Sequence, residues 1–488
     1  MTFQSLRDYI EVIQEKGLVS KIDNADWNLE IGALTEVVAF SSSPKCLVFD
    51  NIRNYQAGFR IATNLYVSER LQAIALSLPD DYSGIKLVQK WRERVHKLSV
   101  ISPKVVQNGP ILENIMVGDD IDILKTLPVP LWHRHDGGRY IGTGDAVITT
   151  DPEEGWTNAG TYRCMVHDRR TLGLLIEANH HGGIMIKKYW AQGKDAPIVI
   201  TFGQEPSLYA AACAPLEWGK SELDYAGAIK GEPIDIIRDE MTGLPIPAQA
   251  EIAIVGHVPP PKIESKDEGP FGECTGYYTS HGPAPVVHID KLMFRDQPIL
   301  QGSPPMYGST LTTSLGGKIT TSAAVWDSIE KQVQNVVGVY SLYQPCQSGS
   351  TILAVAIRQS FPGHAKQAAH AALAARAGII TNRMVVVVDE DIDPSNWNEV
   401  LFAMTSRCIP AEDVTIVDGI SSWSLDPTIS KNKREVRDFT TSTMILDATR
   451  KPFGKRKEFP RTNILEADLR DAVKAKWASL VGDLTPIN

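Results

Sequence analysis

A break at Gly302-Ser303-Pro304-Pro305 separates two stretches of chain that no single sheet can accommodate. Upstream of it, over residues 113–301, short β-rich runs recur at 146–149, 172–176, 198–202, 251–258 and 286–294, with Gly, Pro and Asn clusters between them. Short strands without regular intervening helices point to a barrel or sandwich rather than a parallel sheet. Helical insertions are expected at 185–192 and 207–212. Downstream the pattern alternates: helices at 322–337 and 365–377, the second stopped by Gly378, and strands at 352–357 and 384–388. Val385, Val386, Val387 and Val388 in succession suit a strand covered on both faces, and the alternation reads as an α/β domain.

The start of the chain differs from both. Leu6, Tyr9, Ile10 and Ile13 fall on one face of a helix, with Ser5 as its N-cap and Gly17 as its stop. Strands at 46–49 and 60–62 and a helix at 85–95 complete a small mixed α/β unit. The expected fold class is thus α+β multidomain: a mixed α/β domain over 1–112, a strand-rich central domain over 113–303 and an α/β domain over 304–455. A terminal helix at 464–480, within 456–488, packs either on its own domain or on a partner subunit, and its pattern leaves both open.

Length and charge agree with this division and exclude some functions. The 488 residues exceed the usual domain of about 100–200 residues. With 49 basic against 58 acidic residues, a net charge of -9 and no basic stripe, nucleic acid is not an expected partner. The basic clusters at 431–437 and 451–457 read as solvated surface. The amphipathic start is not a signal peptide, and no apolar run approaches the ~18 residues of a membrane span. Six cysteines, at 46, 164, 213, 274, 346 and 408, are scattered without a CxxC, which fits a reducing, cytoplasmic setting.

Several common motifs fail. Gly142-Thr143-Gly144-Asp145 starts like a dinucleotide fingerprint but has no third glycine and opens no helix. Gly316-Gly317-Lys318 ends like a phosphate loop, yet Thr312 and Ile319 stand where a glycine and a metal-binding hydroxyl belong. Neither HExxH nor GxSxG occurs.

Four clusters remain, dense in catalytic residue types. They are Thr157-Asn158-Ala159-Gly160-Thr161-Tyr162-Arg163, Asn179-His180-His181-Gly182-Gly183, Ser221-Glu222-Leu223-Asp224-Tyr225, and Asp267-Glu268-Gly269-Pro270-Phe271-Gly272-Glu273. Each alone has an ordinary reading: Asn158 satisfies a turn, either histidine sits exposed on a loop, Glu222 opens a helix. Glu268 and Glu273, five residues apart, share a face of neither a helix nor a strand. They converge only if Pro270 and Gly272 bend the chain.

In order and spelling the four together resemble the UbiD family of decarboxylases: NxGxYR, a histidine before a glycine, SExDY followed by AGA, and EGPFGExxGYY. The resemblance continues through VDEDIDP at 388–394 and Leu425-Asp426-Pro427, so it covers nearly the whole chain in the family's order. It implies a central split β-barrel that binds prenylated FMN. It also implies reversible, non-oxidative decarboxylation of an aromatic, heteroaromatic or other α,β-unsaturated acid through a covalent adduct of substrate and cofactor.

By motif position, Asn158, His181 and Glu222 correspond to the ligands of a divalent metal, Mn2+ or Mg2+, that tethers the flavin phosphate. A carboxamide, an imidazole and a carboxylate suit such a metal. His181 is preferred to His180 because its distance to Pro197 agrees with the family. The family's K+ would draw carbonyls from residues 212–214. Gly160, Thr161, Tyr162, Arg163 and His180 fall within the cofactor-binding motifs. Arg163, Glu268 and Glu273 correspond to the catalytic trio, with Glu273 as the proton donor and the glutamate of higher pKa. The partners implied are a small-molecule aromatic or unsaturated acid, a flavin prenyltransferase as cofactor supplier, and further copies of the chain in a homodimer or homohexamer.

The spelling NAGTYR resembles the phenolic, heteroaromatic and polycyclic branch more than the cinnamate branch, and the segment 304–308 is expected to face the flavin. Two other readings keep the fold: net carboxylation of an arene, and a non-catalytic flavin-binding subunit. The presence of Arg163 with both glutamates speaks against the second.

Overall fold

The structure, a computed structural model, describes residues 2–177, 179–307, 315, 317–342, 351–375, 382–453, 458–463 and 465–481. In the helix Leu6–Glu15, Ser5 and Asp8 satisfy each other's backbone amides in a capping box, and Leu6, Tyr9, Ile10 and Ile13 form the buried face. That face packs on a four-stranded sheet ordered Val19–Asp23, Cys46–Asp50, Arg60–Thr63, Ile299–Gln301. The last of these returns from the far end of the central domain and runs parallel to Arg60–Thr63. Helices Glu30–Ala39 and Glu69–Ala75 were not expected. The first starts at Leu29 without a side-chain cap, and the second is buried at Leu71, Gln72, Ala73, Ile74 and Ala75, so it shows no one-sided stripe.

The strand-rich stretch forms a ten-stranded antiparallel sheet that curls into the expected split barrel. Its path runs Arg139–Gly142, Cys164–Val166, Thr171–Leu174, Gly282–Phe294, Ile252–Val258, Ala196–Phe202, Asp145–Thr150, Thr157–Gly160. The 13-residue strand Gly282–Phe294 is its spine. Ser265–Glu268 pairs with one end of the spine and Asn114–Val117 with the other. Two helices, His181–Ala191 and Glu222–Lys230, pack against the strand Thr157–Gly160.

The third domain carries a five-stranded sheet ordered Val336–Leu342, Thr351–Ile357, Asn382–Asp389, Thr440–Asp447, Val414–Ser421. Its middle three strands are parallel, and Val385 to Val388 are all fully buried, as a strand covered on both faces requires. The helix expected at 322–337 is instead Gly317–Glu330. The chain turns at Asn335, with φ +56°, and the β-branched Val336 and Val337 open a strand. The next helix is His364–Ala374, and its expected stop, Gly378, lies outside the described residues. The terminal helix Ala467–Val481 displays exposed Leu469, Val473 and Trp477 at four-residue spacing.

In the basic clusters Lys431 and Arg437 are exposed, as expected, residues 454–457 lie outside the described ones, and two side chains are tied down. Arg434 donates to the carbonyls of Ser424, Asp426 and Ile429, and Lys451 pairs with Asp413 at 3.0 Å. Among the described residues no helix is long and apolar enough to cross a membrane.

One ion cluster fixes the first domain on the barrel. Glu251, fully buried, accepts from Arg7 Nε and Nη2 at 2.9 and 2.8 Å, from Arg295 Nη1 at 3.4 Å and from the Ile299 amide at 3.1 Å. Breaking a buried pair from one side costs about 3–5 kcal/mol, and the partial exposure of Arg7 favours the lower end. Glu251→Gln is therefore expected to destabilise the protein by about 3 kcal/mol in urea denaturation; an unchanged midpoint would contradict the role given to this cluster.

Candidate active site

Glu268 ends the strand Ser265–Glu268. Gly269, at φ +87°, and Pro270 then turn the chain, and a second turn closes where the Gly276 amide donates to the Glu273 carbonyl at 2.9 Å. Pro270 bends the chain as expected, with Gly269 rather than Gly272 beside it. Arg163, immediately before the strand Cys164–Val166, meets both acids. Its Nε donates to Glu268 Oε1 at 2.8 Å, Nη2 to Glu268 Oε2 at 2.6 Å, and Nη1 to Glu273 Oε1 at 2.8 Å. Nη2 also reaches Thr279 Oγ1 at 3.2 Å.

Tyr140, fully buried, donates its hydroxyl to Glu268 Oε1 at 2.8 Å, and its ring lies 4.0 Å from that of Phe271. Neither Tyr140 nor Thr279 was singled out from sequence, because a Tyr in a strand and a Thr after a turn are ordinary there. Burial raises the pKa of Glu273, and the Arg163 guanidinium offsets only part of that effect. For Arg163, burial opposes the charge, and Glu268 and Glu273 together outweigh it.

The other predicted residues gather at a second corner. Asn158 lies in the strand Thr157–Gly160, while His181 and Glu222 are the first residues of the two helices packed against it. Glu222 accepts from the Ala159 amide at 2.8 Å, and a Cβ on Gly182 would stand 3.4 Å from Asn158 Nδ2. The three elements thus converge. Tyr162 is fixed beside Asn158, Gly182 and Glu222, and Gly160 is needed because a Cβ there would stand 2.8 Å from its ring. Thr161 lies near Cys213, inside the segment 212–214. His180 stands at the N-cap position without a side-chain capping bond, exposed, with its ring 5.8 Å from Tyr162.

This corner suits a hard cation and a phosphate. Glu222 is only 3% exposed, and burial pushes its carboxyl up to about 7, with no cationic side chain contributing. Asn158 Nδ2 is buried without a hydrogen-bond partner among the described residues. No group of three His, Cys, Asp or Glu among those residues is arranged to hold a metal, so a cation here needs the carboxamide as well. Two helix N-termini add amide donors and positive potential for a phosphate.

The third domain reaches the same region. Asp426, of the Leu425-Asp426-Pro427 motif, is fully buried and paired with Arg383 at 2.6 Å. Its neighbour Ser424 donates to Glu177, in the loop that leads to His180. Tyr307 packs against the acid turn, 3.1 Å from where a Cβ on Gly276 would lie; Gly308 is outside the described residues.

In this site a guanidinium and two buried carboxyls stand together, and the chain is a carboxy-lyase. Residues 10–91, 104–307 and 314–448 match the N-terminal, Rift-related and C-terminal domains described as 3-octaprenyl-4-hydroxybenzoate carboxy-lyase, and the chain belongs to this family, UbiD. It is 31% identical to a pyrrole-2-carboxylic acid decarboxylase of Pseudomonas aeruginosa, over 83% of this chain and 84% of that one. Identity to a phenolic acid decarboxylase of Sedimentibacter hydroxybenzoicus is 28%, over 92% of each. The UbiD-class enzyme HmfF of Pelotomaculum thermopropionicum, solved in complex with FMN, superposes with a TM-score of 0.81 at 28% identity, over 95% of this chain and 98% of that one. An evolved dimeric form of HmfF in complex with prFMN gives a TM-score of 0.78 at 27% identity, over 96% and 98%.

The loop that holds the acid turn depends on Gly137. Its amide donates to the Pro270 carbonyl at 2.7 Å, and a Cβ there would fall 2.0 Å from the Gly269 carbonyl oxygen. Because the obstacle is backbone, Gly137→Ala is expected to cost about 1–3 kcal/mol and to displace Glu268 and Glu273. Thermal denaturation together with a structure of the variant checks this; an undisturbed turn would refute it.

Proposed function

We propose that the protein removes CO2 from a flat aromatic, heteroaromatic or other α,β-unsaturated acid, without net oxidation, using prenylated FMN. One observation carries this reading: Arg163 grips Glu268 through two nitrogens and Glu273 through a third, so a paired carboxylate and a buried acid stand side by side. Prenylated FMN, when bound, supplies an electrophilic sink for the electron pair that departing CO2 leaves behind. Asn158, His181 and Glu222 would hold Mn2+ or Mg2+ for its phosphate, with K+ on the carbonyls at 212–214.

The chain's own residues do the rest. Glu268, with Tyr140, fixes Arg163. Arg163 orients the acidic substrate, and Glu273 delivers the proton that takes the place of CO2 on the substrate carbon. The same groups serve the reverse, net carboxylation, because every step is reversible.

The names of the relatives support a ring acid. So do the exposed rings of Tyr277, Tyr278 and Tyr307 around the turn that carries Glu273. The apolar stripe of the terminal helix supports packing on a second copy, in a homodimer or homohexamer. A flavin prenyltransferase would supply the cofactor. Thiols at Cys46, Cys164, Cys213 and Cys274 without disulfides support a reducing, cytoplasmic setting.

CO2 release from a panel of aromatic acids, by protein made with and without a flavin prenyltransferase, tests the reading. Activity only in the first, with an isoprene-derived addition in the mass of the extracted flavin, is expected; inactivity in both would favour a non-catalytic flavin-binding subunit. Glu273→Gln should lower kcat by about 10²–10⁴-fold. Because the acid form of Glu273 donates and burial raises its pKa, the rate should fall on the alkaline side as pH passes that raised value. A rate that climbs steadily toward alkaline pH would exclude Glu273 as the donor.

A further inference from the structure

Around His181 the structure assembles something the motifs do not encode. The rings of Trp156, His181 and Trp218 meet edge to face in a closed triangle: centroids 5.6 Å apart at 82° for Trp156 and His181, 5.3 Å at 89° for His181 and Trp218, and 5.0 Å at 83° for the two indoles. Each ring comes from a different ligand-bearing segment. Trp156 precedes Asn158 by two residues, His181 opens its helix, and Trp218 lies in the loop that delivers Glu222. Trp218 is itself anchored. Its Nε1 donates to Glu154 at 3.1 Å, and Lys188, on the same helix as His181, lies 5.3 Å from its ring while pairing with Asp151 at 2.7 Å.

We infer that Trp218 is a positioning residue for the metal corner: together with Trp156 it sets the rotation of the His181 imidazole and screens the corner from water. Edge-to-face contacts are directional, so two perpendicular indoles restrict the plane of the imidazole. At 37% exposure, Trp218 is the outer wall of the triangle. Groups just outside the ligands orient them in this way, and losing one typically weakens metal binding about 10–100-fold. The inference rests on the metal reading proposed above.

The test uses the full chain, made without the prenyltransferase and stripped by chelation, with free Mn2+ counted by electron paramagnetic resonance during titration. Trp218→Ala should weaken Mn2+ binding about 10–100-fold, Trp218→Phe should restore most of it because a ring remains, and Glu154→Ala should shift it less in the same direction. A folded Trp218→Ala protein that binds Mn2+ like the parent overturns the inference. If Trp218→Ala does not fold, an unchanged affinity in Glu154→Ala, a surface substitution, overturns it equally. Glu222→Gln separates the two levels: should it bind Mn2+ as the parent does, the metal corner falls and Trp218 with it, whereas loss in Glu222→Gln beside full binding in Trp218→Ala removes the wall alone.

Discussion

Three ionisable groups share one dry space at the centre of this molecule, and their charges do not sum to zero. Arg163 brings one positive charge; Glu268 and Glu273 would bring two negative ones, and the side chains of all three are about a tenth exposed or less. A buried uncompensated charge is expensive, and the hydrogen bonds do not support the two carboxyls equally. Glu268 accepts from two Arg163 nitrogens and from Tyr140, while Glu273 accepts from one Arg163 nitrogen and, at 3.3 Å, from the Cys274 amide. The less supported acid is the one that burial pushes up. The spine strand, the turn at Gly269 and the close pass of Gly137 all serve to bring these groups within reach of a single guanidinium.

The second corner obeys the same rule. Among the described residues Glu222 is a buried carboxyl without a cationic side chain to pair with, and the first turns of two helices bring amides without intrahelical partners to the region. Such a place is stabilised by a cation and an anion arriving together. The segments that supply its three residues also carry the rings of Trp156, His181 and Trp218, which meet beside it.

Much of this was legible in the residues, for identifiable reasons. The amphipathic face of Leu6–Glu15 and the run Val385 to Val388 announce themselves because burial is one-sided in the first and complete in the second. The site residues were legible through motif order, since local spacing could not bring Glu268 and Glu273 together before the turn was known. What escaped was whatever depends on distant partners. The helix Glu30–Ala39 has no capping side chain. The β-branched Val336 follows closely on residues of helical composition, and the turn at Asn335 and the pairing with Thr351–Ile357 make it a strand. Tyr140 is an unremarkable strand residue until Glu268, 128 positions away, accepts its hydroxyl.

The parallel pairing of Ile299–Gln301 with Arg60–Thr63 has a bearing on how the molecule comes into being. A ribosome releases the first three strands of the N-terminal sheet long before the fourth, and at about 5–20 residues per second the wait is tens of seconds. Through that interval Arg60–Thr63 presents an open row of amides and carbonyls, the kind of edge that recruits stray strands. The sheet can be completed only after the barrel has been synthesised, so the first domain to emerge is among the last to be finished.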